Sequence, residues 1–176
     1  ALPIWYDNYL KKGGVDRSAN TTPGNKKGGL SNIKEKSMGS IAKSGNSPIV
    51  DVLGPAEIPT KRGMNFIATP ASDIVSGPTQ LASGIALQVF STRRGTPYSL
   101  KEIPIIKLCT RHEIREKWND IFDIDTGDII TGEGTFEEVG LQVYNLILDC
   151  ASGKKSRAEA LGIYNDLIID NPAPIT

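Results

Sequence analysis

The sequence has few of the residues that build metal and disulfide sites. Its 176 residues include one histidine and two cysteines, and no Cys-x-x-Cys pattern occurs. We therefore expect no complete metal site within this chain. Cys109 and Cys150 lie in apolar or helical contexts, so we expect them to be buried and reduced, as in a cytoplasmic protein, rather than joined in a disulfide.

The sequence also lacks an excess of either charge and any long apolar run. Twenty basic residues balance twenty acidic ones, which argues against nucleic-acid binding. No apolar segment is long enough to cross a bilayer, and the start shows no signal-peptide pattern, so we expect no membrane association. Because the first residue is Ala1 and not Met, we expect the chain to be part of a longer protein.

Glycine and proline are abundant instead, with 18 and 11 residues that cluster in polar loops between short apolar runs. The richest loop, NTTPGNKKGG at 20–29, follows a predicted helix over 4–12. Its hydroxyl, amide and ammonium groups can present donors and positive charge to an oxyanion, although it does not match the Walker A pattern. The alternative interpretation is a polar linker.

Apolar strand-like runs alternate with helical ones, and this alternation predicts an α/β fold. We expect an open, mostly parallel, Rossmann-like sheet with flanking helices and long polar loops. The chain is interpreted as one domain over 1–176, with a helix and a substrate-side loop over 1–30 and an α/β core over 31–176. The main predicted strands are 48–53, 64–68, 85–90 and 103–108, and the main predicted helices after residue 30 are 32–43, a helix ending near 83, 111–119, 135–152 and 156–161.

Several helix starts carry recognisable cap residues. Ser31 is predicted to cap the helix over 32–43, and Thr69 or Ser72 the helix after the second strand. A Thr-x-x-Glu capping box begins at Thr135.

In open α/β sheets, ligands bind beyond the carboxyl ends of the strands. Polar segments at 69–73, 91–98 and 109–112 each follow a predicted strand. We therefore expect them to gather along one edge of the sheet, where the loop at 20–29 could join them.

Two pairs of basic residues are the candidate anion-binding groups. Arg93 and Arg94 follow the third strand, and arginine binds carboxylates bidentately. Lys26 and Lys27 could bind a carboxylate, or one could act as a general base if burial lowered its pKa. The alternative for each pair is a solvated surface position.

The histidine and the nearby acidic residues offer weaker candidates. His112 could titrate near neutrality, but a histidine in a first helical turn is expected to be structural or exposed. Asp123 and Asp125, with Asp120 and Asp128 nearby, could reach a divalent cation, yet they do not complete an EF-hand. We expect them to be solvated carboxylates of a turn.

Long segments of the sequence, in order, resemble the C-terminal part of the galactarate and altronate dehydratase family, and most of all its galactarate branch. The resemblance extends over nearly the whole chain. It is carried by NTTPGNKKGGLSNIKEKSMGSIAKSG at 20–45, ATPASDIVSGPTQLASG at 68–84, LQVFSTRRGTPYS at 87–99, PIIKLCTRHEI at 104–114 and YNDLIIDNPAPIT at 164–176.

The resemblance implies a cytoplasmic hydro-lyase that removes water from a sugar diacid. In this chemistry the proton alpha to a carboxylate is lost, the beta hydroxyl departs, and the resulting enol becomes a 2-keto product. The resemblance also implies a divalent metal, with Fe²⁺ as the expected ion and its ligands mostly in N-terminal domains outside this chain. We accordingly expect the chain to be inactive alone and the enzyme to be a homodimer.

The resemblance implies roles for loop residues. Lys26 and Arg94 are predicted to act in catalysis, with Arg94 on a substrate carboxylate, and none of the candidates is predicted to bind the metal. Thr92 and Thr96 are expected to bind substrate hydroxyls. The predicted substrate-binding residues are Asn20, Thr22, Gly24, Asn25, Gly28, Gly29, Thr69, Ser72, Thr92, Gly95 and Thr96.

The sequence departs from the family pattern at a few positions. The family loop T-T-G-R-G-T-P-[YF]-G corresponds to STRRGTPYS at 91–99, where Arg94 matches the arginine and Arg93 replaces a glycine. Tyr164 stands for a histidine and Asp128 for an arginine. The alternatives are therefore altronate or another hydroxy acid as substrate, a non-catalytic domain that binds a sugar acid, and a dimerisation domain.

Overall fold

The computed structural model describes residues 21–27, 29–69 and 72–165, together with Asn8 and Lys11. The chain divides into two compact units, one that contains the residues up to Ser83 and one that begins at Gly84. The helix predicted over 4–12 lies outside the described residues, apart from Asn8 and Lys11, which are both helical. Among the described residues, no helix combines the length and apolarity needed to cross a membrane.

The first unit has a small parallel sheet. Its two strands pair directly, from Ile49 opposite Met64 to Leu53 opposite Ile67. The prediction of strands near these positions is confirmed, with boundaries shifted by a single residue. The elements of this unit are α1 (Pro23–Lys27), α2 (Ile33–Lys43), β1 (Ile49–Leu53), β2 (Met64–Ile67) and α3 (Asp73–Ala82).

Helix α1 corrects the prediction of a loop over 20–29. Thr22 and Asn25 cap its start reciprocally, since Thr22 N donates to Asn25 Oδ1 at 3.2 Å and Asn25 N donates to Thr22 Oγ1 at 3.3 Å. Pro23 occupies the first helical position, where its missing N–H costs nothing. The end is a Schellman motif, in which Gly29 N donates to Lys26 O and Leu30 N to Asn25 O. These local bonds make the polar stretch helical.

Side-chain hydrogen bonds fix the starts of the next helices. Asn32, and not the predicted Ser31, caps α2, because Asn32 Oδ1 accepts from Glu35 N at 3.0 Å. Ser31 instead donates its hydroxyl and its backbone N–H to Glu35 Oε2. Ser72 holds the cap position of α3 without a side-chain bond, and the Thr69 hydroxyl lies 2.9 Å from that of Ser76.

The second unit has a three-stranded parallel sheet with β4 in the middle. The predicted α/β class with open parallel sheets is confirmed, but the described strands belong to two sheets and not to one. The third strand begins and ends later than predicted, because Gln88 to Thr92 pair with β4. The elements of this unit are β3 (Gln88–Thr92), β4 (Ile105–Cys109), α4 (His112–Lys117), β5 (Ile124–Asp125), α5 (Gly127–Thr131), α6 (Phe136–Ala151) and α7 (Arg157–Leu161).

Strand β4 lies at the centre of the core of this unit. Ile105, Ile106, Lys107 and Cys109 are fully buried, as expected for a central parallel strand that is covered on both faces. Lys107 is an exception to the apolar pattern, because its ammonium group has no hydrogen-bond partner among the described residues. Burial lowers the pKa of Lys107 to about 8, although the nearby Asp123 carboxylate opposes this effect.

Helix α6 has the predicted capping box. The hydroxyl of Thr135 accepts from Glu138 N at 3.2 Å, and the Glu138 carboxylate accepts from Thr135 N at 2.9 Å. Val139 and Cys150 are buried on one side of the helix. The helix also exposes large apolar side chains, namely those of Phe136, Leu141, Tyr144 and Leu148.

Candidate functional site

A cleft lies beyond the carboxyl edge of the three-stranded sheet. The last residues of its strands are aligned, with Thr92 opposite Cys109 and Cys109 opposite Asp125. The segments that follow the strands therefore begin side by side, as parallel sheets require. The cleft has a volume of about 560 Å³ and is lined by Arg93, Thr110, Arg111, His112, Glu113, Gly127, Ile130 and Thr131.

Backbone hydrogen bonds fix this edge. Thr110 N donates to Thr92 O at 3.3 Å, and Thr126 N donates to Cys109 O at 2.7 Å. The Thr126 hydroxyl donates to the same Cys109 carbonyl at 3.0 Å. The prediction that the segments after β3 and β4 meet at one edge is confirmed. The predicted arrival of residues 69–73 and 20–29 at that edge stays a prediction.

A histidine and an aspartate are paired at the cleft. His112 Nδ1 lies 2.7 Å from Asp125 Oδ2, and the other oxygen of Asp125 accepts from Gly127 N at 2.8 Å. A Cβ on Gly127 would lie 2.9 Å from that oxygen and 3.0 Å from the His112 ring, so only glycine fits without a shift. The Asp125 hydrogen bond raises the pKa of His112 above its ordinary 6.5.

The other ring nitrogen of His112 faces acidic side chains. His112 Nε2 lies 3.5 Å from Glu133 Oε2 and 3.7 Å from Asp128 Oδ1. The Thr131 hydroxyl is 3.4 Å away. Within the part of the chain that the structure describes, His112, Asp128 and Glu133 are the group whose ligand atoms lie close enough together, within 4.8 Å, to hold a metal ion.

Helix α5 and the turn after it create this group. Asp128 lies in the first turn of α5, and Gly132 ends the helix in the left-handed conformation, with φ of 79°. The chain then folds back, so that Glu133 N donates to Asp128 O at 3.0 Å. This group is not evident from the sequence, because α5 has five residues, too few to show a helical apolar stripe.

The expected roles of the acidic residues after β4 were wrong in two cases. Asp123 and Asp125 are not solvated turn carboxylates. Asp123 accepts from Lys107 N at 2.8 Å and from Arg157 N at 2.9 Å, so it joins β4 to the start of α7. Asp125 orients His112 instead.

The predicted residues of the arginine loop are partly at the cleft. Arg93 lines it, whereas the exposed Arg94 is not among the lining residues. The Thr92 hydroxyl accepts from Gly95 N and the Thr96 hydroxyl from Tyr98 N, both at 3.2 Å. Gly95 has φ of 86°, and a Cβ there would meet the Trp118 ring at 3.2 Å. The loop is therefore held by its own bonds.

The predicted residues of the first unit are divided between cap positions and the surface. Thr22 and Asn25 cap α1, and Lys36 Nζ donates to Asn25 Oδ1 at 3.1 Å. Thr69 and Ser72 are half-buried near the start of α3. Asn20 and Gly28 lie outside the described residues. The remaining predicted residues, which are exposed, are Gly24, Lys26 and Gly29.

Comparison with known proteins confirms the resemblance. The family described as D-galactarate/Altronate dehydratase, C-terminal, matches residues 2–174. The galactarate dehydratase (L-threo-forming) of Escherichia coli is 58% identical over 98% of this chain and 33% of its own length. An altronate dehydratase of Escherichia coli is 34% identical over 78% of this chain and 27% of its own length.

A sulfo-lyase subunit is also similar to this chain. The (2R)-sulfolactate sulfo-lyase subunit beta of Chromohalobacter salexigens is 34% identical over 80% of this chain and 36% of its own length. The chain thus spans about a third of the length of these relatives. The chain belongs to the D-galactarate/altronate dehydratase family, and it corresponds to the C-terminal part of that family's proteins.

Proposed function

We propose that this chain is the C-terminal part of a sugar-acid dehydratase that eliminates water from galactarate or a related aldarate to give a 2-keto-3-deoxy acid. The observation that carries the proposal is the 58% identity to a galactarate dehydratase over 98% of the chain. In this reaction a base takes the proton alpha to a carboxylate, the beta C–O bond breaks, and the hydroxyl leaves as water. The enol then becomes a ketone.

The chemistry of the cleft suits a substrate with two carboxylates. Arg93 and Arg111 are among its lining residues, and guanidinium groups bind carboxylates bidentately. Arg111 Nε lies 3.2 Å from Glu113 Oε2 at the protein surface, an exposed ion pair that a substrate carboxylate can replace at small cost. Positive charge beside the carboxylate also stabilises the negative charge that develops as the alpha proton leaves.

The loop residues named from the sequence keep their proposed roles. Arg94 is exposed, so its guanidinium is accessible to a substrate carboxylate. The Thr92 and Thr96 hydroxyls each accept a local N–H bond, which leaves their own O–H groups to donate to substrate oxygens. Lys26 is exposed on α1, and its role in catalysis requires burial by substrate or by other domains.

The resemblance also supports proposals about the complete enzyme. We propose that N-terminal domains of the same longer protein complete the active site. They would hold most ligands of a divalent metal, Fe²⁺ in the first instance, which supplies Lewis-acid chemistry at the substrate when bound. We also propose that the enzyme is a homodimer in the cytoplasm. The exposed apolar residues of α6 offer a surface for that dimer.

Replacement of Arg94 tests its proposed role in binding a substrate carboxylate. In the full-length protein, Arg94→Ala should lower kcat/KM for galactarate roughly ten- to hundredfold, because a charge-assisted hydrogen bond contributes about 1.5–3 kcal/mol. Lys101→Ala, at an exposed position between β3 and β4, is the matched control and should leave turnover unchanged. Equal kinetics for Arg94→Ala and wild type would remove Arg94 from the site.

A substrate panel tests the alternatives. Altronate and (2R)-sulfolactate should be turned over much more slowly than galactarate by the full-length protein, because the greatest identity among the relatives compared is to the galactarate enzyme. A preference for either of the other acids would change the substrate and keep the lyase class. Tight binding of galactarate with no turnover of any acid would favour a binding domain.

A further inference from the structure

We propose that His112, Asp128 and Glu133 form a divalent-metal site within this chain, with Asp125 as the group that orients the histidine ligand. The site lies wholly on residues of this chain, and it can be tested without the proposed dehydratase activity. The two ring nitrogens of the single histidine in the sequence meet different partners.

The first step concerns the tautomer of His112. Asp125 Oδ2 lies 2.7 Å from Nδ1, and the other Asp125 oxygen is held by Gly127 N. A carboxylate in this position accepts a hydrogen bond from Nδ1–H, which keeps the proton on Nδ1, so the neutral ring presents the lone pair of Nε2. Histidines that bind metals commonly donate their second N–H to a carboxylate in this way. The ring is thus oriented as a ligand before any ion binds.

The second step concerns the distances around Nε2. Ligand atoms about 2.0–2.2 Å from a tetrahedral metal lie roughly 3.3–3.6 Å from one another. His112 Nε2 is 3.5 Å from Glu133 Oε2 and 3.7 Å from Asp128 Oδ1. All three ligand atoms lie within 4.8 Å of one another. The Glu133 side chain is 70% exposed, so it can rotate and bring its carboxylate closer to the other two ligand atoms.

The third step concerns charge. Asp125, Asp128 and Glu133 place three carboxylates around one imidazole. Such a group attracts a cation. A protonated imidazole neutralises only one of the three charges. A divalent ion neutralises two and takes the Nε2 lone pair as well.

The donor set indicates which ions fit. One imidazole nitrogen with two carboxylates suits Zn²⁺, Fe²⁺ or Mn²⁺, whereas Ca²⁺ and Mg²⁺ take oxygen ligands. Three protein ligands leave positions open for water, as in catalytic rather than structural zinc sites. His112 also lines the cleft, so an ion bound there belongs to the wall of the candidate site.

Zn²⁺ titration of the purified protein tests the proposal. By calorimetry and metal analysis, wild-type protein should bind one more equivalent of Zn²⁺ per chain than the double variant Asp128→Asn/Glu133→Gln. Asp125→Asn should weaken the same binding roughly 10- to 100-fold, because it removes the group that orients the histidine. Glu137→Gln, which removes an exposed carboxylate on α6, is the control and should bind as wild type does.

The outcomes separate the possibilities. Equal Zn²⁺ stoichiometry in wild type and the double variant would overturn the site, as would equal weakening by Glu137→Gln. Circular dichroism of each variant checks that the fold is retained, and Glu133→Gln alone, at an exposed position, gives a second measurement if the double variant is unstable. Because the readout is metal bound per chain, a lack of dehydratase turnover would leave this result unaffected.

Discussion

Replacement of Lys107 by methionine should stabilise this chain at neutral pH. Lys107 is fully buried in β4, and its ammonium group has no hydrogen-bond partner among the described residues. Burial lowers its pKa from 10.5 to about 8, which corresponds to roughly 3 kcal/mol against the charged form in the folded state. Lys107→Met keeps the apolar stem and removes the buried charge. We therefore expect the variant to be more stable by roughly 3 kcal/mol at pH 7.

The stability difference between Lys107→Met and wild type should depend on pH. Below pH 8 the lysine is charged in both the folded and the unfolded chain, so the full cost of burial is present. Between about pH 8 and 10.5 the folded chain has lost the proton and the unfolded chain still binds it, so the free energy of unfolding of the wild type rises with pH. The difference between Lys107→Met and wild type should shrink by roughly 3 kcal/mol across that window.

Urea unfolding followed by circular dichroism, at pH values from about 6 to about 11, measures this difference. Lys101→Met is the matched control, because Lys101 is exposed and its replacement should leave the profile parallel to that of wild type. Parallel profiles for Lys107→Met and wild type would refute the reasoning. A variant less stable than wild type at pH 7 would do so as well, because it would mean that the ammonium group has a stabilising partner.

Three further predictions follow from particular contacts. Gly127→Ala should destabilise the chain by about 1–3 kcal/mol in urea unfolding and lower the pKa of His112 toward 6.5 by NMR, because the new Cβ meets the Asp125 carboxylate. Thr135→Ala should cost about 1 kcal/mol in the same assay through loss of the α6 cap. Leu141→Glu with Leu148→Glu should convert the proposed homodimer to monomer in light scattering of the full-length protein, because both side chains are exposed on α6.

Each of these changes has a result that would contradict it, and Gly127→Ala also has a control. Gly140→Ala adds a Cβ that would meet no atom within 4 Å other than those of its chain neighbours and its own helix backbone, and it should stabilise α6 by about 0.5–1 kcal/mol. Unchanged stability of Gly127→Ala would mean that the His112 pair is not tightly packed. Full stability of Thr135→Ala would assign the helix start to tertiary packing. If the Leu141→Glu/Leu148→Glu variant stayed dimeric, this face of α6 would not be the dimer interface and would instead be a candidate for contact with other domains.

The features that the sequence predicted well depend on neighbouring residues. The capping box at Thr135 consists of hydrogen bonds between residues three positions apart, so four consecutive residues of the sequence are enough to identify it. Strand β4 is a short apolar run, and its burial on both faces follows from the parallel pairing that the α/β pattern implies. The family was evident for another reason, because several long segments match in order.

Two structural features were not predicted from the sequence, for different physical reasons. Helix α1 was predicted as a loop because glycine and proline outweighed a local cap, although Thr22, Pro23 and Gly29 occupy the positions that favour a helix. The His112 group could not be predicted from spacing. It requires the register of β4 with β5 and the turn at Gly132, and these depend on contacts between residues far apart in the chain.

The central claim is that this chain is part of a dehydratase acting on a sugar diacid. Its most direct test is galactarate turnover in D₂O by the full-length protein with Fe²⁺, followed by NMR and by trapping of the product as a semicarbazone. We expect a 2-keto-3-deoxy acid that carries one solvent deuteron at C3, because the enol takes its proton from water when it becomes the ketone. Absence of a keto acid from every aldarate and aldonate tried would show that the protein is not a sugar-acid dehydratase.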